Sequence, residues 1–369
     1  MMATTDVSVV ENSFASSDYS LLGAFSHPLP IEIVISTIVW LMCFLAVFGN
    51  ILIFVVILRD KQLRSNVANM YILNLASADL CVGINSLTMN NIWRYTGNWP
   101  FQRAVCTFWT VVDYSACMQA AFAVTLISLD RYLLVTKYLQ YRKYQSRVMA
   151  GGLITFTWTV ALVFYAIPIL GNELWPNAKA YGVVSYSVTC DFGTLYILPY
   201  NIAQIAIGFA VPAVILTYLN VKVYSNILQR SKGLVRVAVA PAQPSATTEG
   251  GNDPALQHGP NADSKVNAEP VAWNTKRTYK KHRKAAITLA LIVGMFSICW
   301  TPYYVLQLLF VVDKIKFSWL LWNGVYYTVW VNSAINPFIY AATSPRIRRG
   351  IIKIICFWNT RLLRKIRPL

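Results

Sequence analysis

The chain has 369 residues, of which 56% are hydrophobic and 13% charged, and its mean hydropathy is +0.47. A water-soluble domain carries about 25% charged residues, so the composition excludes that class and points to a lipid bilayer. The net charge of +17 would suit either nucleic acid or an anionic membrane surface, and its placement along the chain favours the membrane.

The first 32 residues, 1–32, are polar and acidic, with Asp6, Glu11, Asp18 and Glu32 and no Lys or Arg. No basic segment with an apolar run and a cleavage site opens the chain, so no removable signal is expected. No N-x-S/T glycosylation acceptor occurs. Seven apolar segments follow, at about 33–58, 67–92, 104–129, 149–170, 195–222, 285–311 and 318–341. They match the ~20 residues that cross ~30 Å of hydrocarbon as a helix, and strand-sized alternation is absent. The fold class expected is an all-α membrane protein, a seven-transmembrane helix bundle over 33–341. The connection at about 235–275 is rich in Pro, Ala, Gly and Asn without helical period and reads as disordered. Its basic flanks, KVYSNILQRSK and KRTYKKHRKAAITL, read as extensions of the fifth and sixth helices. In the 342–369 tail, SPRIRRGIIKIICFW reads as a short amphipathic eighth helix, and Cys356 within it suits palmitoylation or an interfacial thiol.

Five of the 32 basic residues fall on the N-terminal side of the spans: Arg94, Arg103, Lys179, Lys314 and Lys316. The positive-inside rule then places the N-terminus outside and the C-terminus in the cytoplasm. Cys43, Cys81, Cys117 and Cys299 lie inside spans, where thiols pack as apolar groups. Cys106 starts the third span on the outer side and Cys190 lies in the second outer connection. That side is oxidising, so these two are the natural disulfide.

Charges inside hydrocarbon are expensive and mark function. Three cases stand out: Asp79, Asp113 and the pair Asp130–Arg131. Asp113 and Asp130 share the third span, about 25 Å apart at 1.5 Å per residue. Asp130 and Arg131 are thus expected at the inner interface, meeting cytoplasmic water. Asp113 lies within the outer half, and the facing spans hold no Lys or Arg to pair with it. Trp109, Tyr114, Trp300, Tyr303, Tyr304, Tyr326, Tyr327 and Trp330 all fall at outer or middle depth. A lone carboxylate among aromatic rings suits a cationic amine, by charge pairing and cation–π attraction.

A set of motifs extends this reading. Gly49–Asn50, Asn74–Leu80 (NLASADL), Cys106, the DRY of Asp130–Tyr132, Trp158, Pro212, Phe296–Tyr304 (FSICWTPYY) and Asn336–Tyr340 (NPFIY) occur in order, each in its own span. Over about 30–357, without the long connection, the chain resembles class A (rhodopsin-like) G-protein-coupled receptors. Asp113 falls where the biogenic-amine receptors of that class carry their amine-binding carboxylate. The resemblance implies a ligand site of Asp113, Tyr114, Cys117, Trp109, Phe192, Gln204, Trp300, Tyr303, Tyr304, Tyr326 and Trp330. It implies a switch at Asp130, Arg131, Tyr132, Asn336, Pro337 and Tyr340, with Pro302 and Pro337 making their helices bendable. The partners implied are a small cationic amine, a heterotrimeric G protein of the Gi/o kind, arrestin, a receptor kinase and membrane lipid, at the plasma membrane. WTVVDYSAC and Trp330 look most like histamine receptors of the presynaptic and leukocyte type, and Tyr114 and Tyr326 also fit muscarinic acetylcholine receptors.

Departures from the pattern are informative. From Tyr196 to Ile215, span five has no Ser or Thr, the residues that catechol-binding receptors use. Gly208 stands where presynaptic histamine receptors carry a glutamate, and Tyr304 where muscarinic receptors carry an asparagine. Trp330 replaces the lysine an opsin needs. His282 stands where many relatives place an acid that restrains the DRY arginine, so ligand-independent signalling is expected. The family's sodium ion would sit at Asp79, Asn332, Ser333 and Asn336, weakened because Ala120 replaces a serine; no other cofactor is expected. The competing readings are a class A receptor for a peptide or other non-amine ligand and, more remotely, a membrane transporter. A transporter would show paired intramembrane charges or repeats. An enzyme is not expected: His27, His258 and His282 lie outside the hydrocarbon and form no catalytic cluster.

Overall fold

The computed structural model describes residues 29–171, 190, 197–239, 269–313, 315 and 317–357. Helix α1 (Leu29–Arg59) leads through the short α2 (Lys61–Ser65) to α3 (Val67–Cys81), which passes through a π-helical segment, Val82–Leu87, into α4 (Thr88–Thr96). The long α5 (Arg103–Thr136) is followed by α6 (Tyr138–Tyr144) and α7 (Arg147–Leu170). The fifth span is α8 (Leu198–Ile205), a π-helical segment Ala206–Ala210, and α9 (Val211–Val239). Then come α10 (Glu269–Asp313), α11 (Trp319–Thr343) and the amphipathic α12 (Pro345–Ile355). Among the described residues there is no strand. Among the described residues, six spans are long and apolar enough to cross a membrane. The seventh, α11, has 25 residues, and Asn323, Asn332 and Asn336 dilute its apolar content.

α5 is the central helix. It packs against α3, α7, α9 and α10, and 67% of its most apolar stretch is buried against 22% for α7. The outward faces carry Ile33, Phe44, Phe156, Val214 and Ile298, all exposed, as a lipid-facing surface requires. The basic flanks of the long connection do continue the fifth and sixth helices. Of the segments discussed above, residues 1–28, most of the connection at 235–275, Phe192, and 358–369 lie outside the described residues.

The prolines explain how the helices are tied together. A proline has no N–H, so the carbonyl four residues earlier loses its helical donor. Within α11, Pro337 frees the Ser333 carbonyl, and the Asn50 amide of α1 donates to it at 3.1 Å. Within α7, Pro168 frees the Phe164 carbonyl, and the Tyr200 hydroxyl of α8 donates to it at 3.1 Å. Gly49 completes the first arrangement: a Cβ there would stand 2.8 Å from Pro337 Cγ, so only glycine lets the two helices meet. Asn74 acts similarly between spans, accepting from Trp158 Nε1 at 2.9 Å and Gln119 Nε2 at 3.0 Å.

At the other side of the molecule, Asp60 caps α2 by accepting from the backbone N–H groups of Gln62 and Leu63. The same carboxylate takes Arg346 of α12 in a forked pair, at 2.6 and 2.8 Å. Arg346 also reaches Gln62. The guanidinium holds the Asp60 carboxyl below the ordinary carboxylate range. This clamp fixes α12 to the turn after α1.

Candidate functional site

The site is assembled around Asp113, on the face of α5 turned toward α11. Its carboxylate is 2% exposed. Tyr326 donates its hydroxyl to Oδ2 at 2.9 Å, Trp330 donates its indole N–H to Oδ1 at 3.3 Å, and the Cys117 thiol lies 3.9 Å from Oδ1. All three donors are neutral. The carboxylate is thus oriented by dipoles, and none of these three groups brings a matching positive charge.

The aromatic wall is continuous. Tyr326 packs on Trp330 at 4.5 Å and on Tyr303 at 5.4 Å between ring centres. Tyr303 meets Tyr304 at 5.2 Å, Tyr304 stacks on Trp300 at 5.9 Å, and Trp300 stacks on Phe296 at 5.0 Å. Rings at such spacings attract beyond simple area burial. Trp109 and Tyr114 have other neighbours. Trp109 packs between Trp93 and Trp99 at 5.9 and 5.1 Å, in the apolar cluster that also holds Cys106 and Cys190. Tyr114 stacks on Tyr165 at 5.3 Å. The Cys106–Cys190 disulfide is formed and marks this end of the bundle.

The fifth span contributes Asn201, Gln204 and Gly208, buried on one face. Gln204 is 2% exposed, and its carbonyl oxygen has no hydrogen-bond partner among the described residues. Gln307 of α10 donates to Asn201 Oδ1 at 2.8 Å, leaving its own buried carbonyl oxygen without a partner among the described residues. A buried amide oxygen left unmatched costs about 1–3 kcal/mol, which a donor on a bound molecule would offset. Gln204 is among the site residues expected from the sequence, and Gln307 is not. The only clue to Gln307 was its place one turn beyond Tyr304.

Below the pocket lies a second polar set. Asn336 donates to Asp79 Oδ2 at 2.8 Å. Asp79 Oδ1, Asn332 Oδ1 and Asn336 Oδ1 are buried oxygens without hydrogen-bond partners among the described residues. An all-oxygen donor set of one carboxylate and two amides fits a hard cation such as sodium. No cluster of three or more His, Cys, Asp or Glu with metal-ligand spacing exists among the described residues.

At the far end of α5, the expected exposure of Asp130 to water does not hold. Asp130 is 3% exposed. Tyr141 and Gln145, in and just after α6, donate to its Oδ1 at 3.1 and 2.9 Å, so the connection after α5 folds over the carboxylate and shuts out solvent. Burial, with the Asp130 charge next in weight, pushes the Tyr141 phenol well up, so it remains a donor. Arg131 lies 3.6 Å from Asp130 Oδ2, an ion pair looser than a hydrogen bond. Tyr340 is buried at this end, with its hydroxyl unmatched among the described residues. Tyr132 is half-buried and packs against the main core.

Comparison with known proteins follows the same lines. The model of the 7 transmembrane receptor (rhodopsin family) matches residues 49–340. The alpha-1D adrenergic receptor of Mus musculus is 27% identical over 88% of this chain, which spans 57% of that receptor's length. The 5-hydroxytryptamine receptor 1B of Didelphis virginiana is 26% identical over 91% of this chain and 89% of its own. The D(1A) dopamine receptor of the same species is 26% identical over 81% and 69%. The chain belongs to the rhodopsin family of seven-transmembrane receptors, and is a multi-pass membrane protein of that receptor family rather than an enzyme.

Proposed function

We propose that this receptor binds a small cationic amine at Asp113 and signals to a heterotrimeric G protein at the Arg131 end. The observation that carries the reading is the Asp113 carboxylate, buried and oriented by Tyr326, Trp330 and Cys117, with no basic side chain among those donors. The printed names of the related receptors, adrenergic, 5-hydroxytryptamine and dopamine, support an amine. Cys117, Gln204, Trp300, Tyr303, Tyr304, Tyr326 and Trp330 are the side chains assigned to hold the amine, with Trp109 and Tyr114 contributing through their aromatic neighbours Trp99 and Tyr165.

The unmatched carbonyls of Gln204 and Gln307 favour an amine whose far end carries an N–H donor, as histamine does. They count against acetylcholine, which has no such donor. The absence of Ser and Thr from Tyr196 to Ile215 counts against a catechol. The N-terminus faces outside, supported by the distribution of basic residues and by the disulfide near the Asp113 end. Agonist binding favours an arrangement that opens Arg131, Tyr132 and Tyr340 to the G protein, of the Gi/o kind, and later to receptor kinase and arrestin. Pro302 and Pro337 give the bends and Asn336 links the switch to Asp79; Asp79, Asn332, Ser333 and Asn336 would hold a sodium ion, whose charge would steady the resting form. Cys356, half-buried at the end of α12, takes palmitate.

The test is a panel of amines scored for G-protein activation on wild-type receptor and on Asp113→Asn. Potency should fall at least tenfold on the variant. An amine agonist with full potency on Asp113→Asn would overturn the reading.

A further inference from the structure

A buried ion pair far from the ligand carboxylate is connected to it by a chain of contacts. Glu32, in the first turn of α1, pairs with Arg94, in the last turn of α4. Their side chains are 9% and 11% exposed. One turn along each helix, Ser36 and Asn91 exchange hydrogen bonds of 3.3 and 3.2 Å. Beside Asn91, Asn90 accepts from the Tyr327 hydroxyl of α11 at 3.0 Å. The Tyr327 ring packs on Trp330 at 5.6 Å between centres, and Trp330 donates to Asp113.

Desolvating two charges is costly, and a buried pair is weak evidence of stability on its own. Here it closes a polar zipper across the first, second and seventh spans, and the last member of that zipper touches the residue that orients the carboxylate. Glu32 and Arg94 bring no group to a ligand held at Asp113. We propose that the Glu32–Arg94 pair positions Tyr327 and Trp330, and thereby sets the affinity of the Asp113 site for its amine. Both residues are positioning residues. The inference rests on the amine-site reading above and adds to it the residues that hold the site in register. Positional precision at a charged site governs affinity because a displaced donor leaves the carboxylate wrongly oriented for its partner.

The experiment uses the full chain in membranes. The probe is whichever of tritiated histamine, 5-hydroxytryptamine, dopamine or noradrenaline binds wild type most tightly. Glu32→Gln and Arg94→Met should each weaken its binding by roughly 2- to 30-fold, the range of a network coupling. The number of sites and the maximal G-protein response should stay near wild type, a split that general destabilisation would not give. The exchanged pair, Glu32→Arg with Arg94→Glu, should recover most of the affinity. Tyr327→Phe should weaken binding with the ion pair intact, add little to Glu32→Gln, and carry the test if the charge variants do not reach the membrane. Wild-type affinity in the single variants, no recovery in the exchanged pair, or full additivity of Tyr327→Phe with Glu32→Gln would each overturn the positioning role. Failure of the amine reading looks different: no saturable binding of any of the four probes, or unchanged affinity in Asp113→Asn.

Discussion

Gly208 and Tyr304 meet across the fifth and sixth spans so closely that a Cβ at position 208 would stand 2.9 Å from the Tyr304 hydroxyl oxygen. The two positions read in the sequence as departures from the histamine and muscarinic receptor patterns are therefore one feature. The Tyr304 ring is held by Phe209 at 4.8 Å and Trp300 at 5.9 Å, so its hydroxyl cannot swing aside. Gly208→Ala should destabilise the receptor by about 1–3 kcal/mol, the usual cost of overpacking. Tyr304→Phe in the same chain should restore most of the loss. Thermal unfolding of the detergent-solubilised receptor measures both.

Tyr326 is the shortest donor to Asp113, at 2.9 Å. Tyr326→Phe keeps the ring and its packing on Trp330 but removes the hydroxyl. A hydrogen bond to a charged group contributes about 1.5–3 kcal/mol, so amine affinity should fall roughly tenfold or more. Equal affinity of the two proteins in saturation binding would show that Tyr326 does not prepare the carboxylate.

Asp130 receives its hydrogen bonds from the connection after α5, and Gln145 gives the shorter of the two, 2.9 Å. Gln145 also donates to Tyr71 at 3.3 Å, joining three elements. Gln145→Ala should lower thermal stability by about 1.5–3 kcal/mol, the cost of one charge-assisted bond.

Arg131 lies 3.6 Å from Asp130, and the resemblance to class A receptors implies that His282 stands where an acid would add a second restraint. Cells expressing the receptor should show G-protein signalling above mock-transfected cells with no ligand present. A baseline equal to mock would count against this.

The clamp between Asp60 and Arg346 predicts a pH dependence with a definite sign. The Asp60 carboxyl is held below its ordinary value, by the Arg346 hydrogen bond first of all. A group with a depressed folded-state pKa contributes fully above its unfolded value near ~4 and loses that contribution as pH falls through the lower folded value. The protection factors of the α12 amides, with the intrinsic pH dependence of exchange divided out, should therefore be constant from neutrality down to about 5 and fall below about 4. Asp60→Asn should give the lowered protection at neutral pH.

The helical spans, the disulfide and the isolation of Asp113 are all legible in the sequence. Each depends on local signals: apolar run length, cysteine placement, and the absence of basic residues from whole segments. What could not be read is register between helices. Glu32 and Arg94 lie 62 positions apart, and Asp60 and Arg346 lie 286 apart, so no spacing rule connects them. The burial of Asp130 was missed for the same reason, because Tyr141 and Gln145 belong to a short helix and turn that look like an ordinary polar connection. The π-helical segments at Val82–Leu87 and Ala206–Ala210 carry no residue pattern that distinguishes them from α-helix. They interrupt the α-helical hydrogen-bond register within the second and fifth spans.

The Asn50–Ser333 bond carries a consequence for how the molecule can move. The bend of the seventh span is not that helix's own property. The bond that Pro337 forfeits is supplied from the first span, with the proline ring lodged against Gly49. The first span is thus a bearing and the seventh a lever resting on it. Motion of the Tyr340 end against the Tyr326 end would turn about this contact, so pocket and switch, at opposite arms, shift in opposite senses. A receptor split between its first and second spans would keep Asp113 and its donors on one fragment and put Asn50, half of the pivot, on the other.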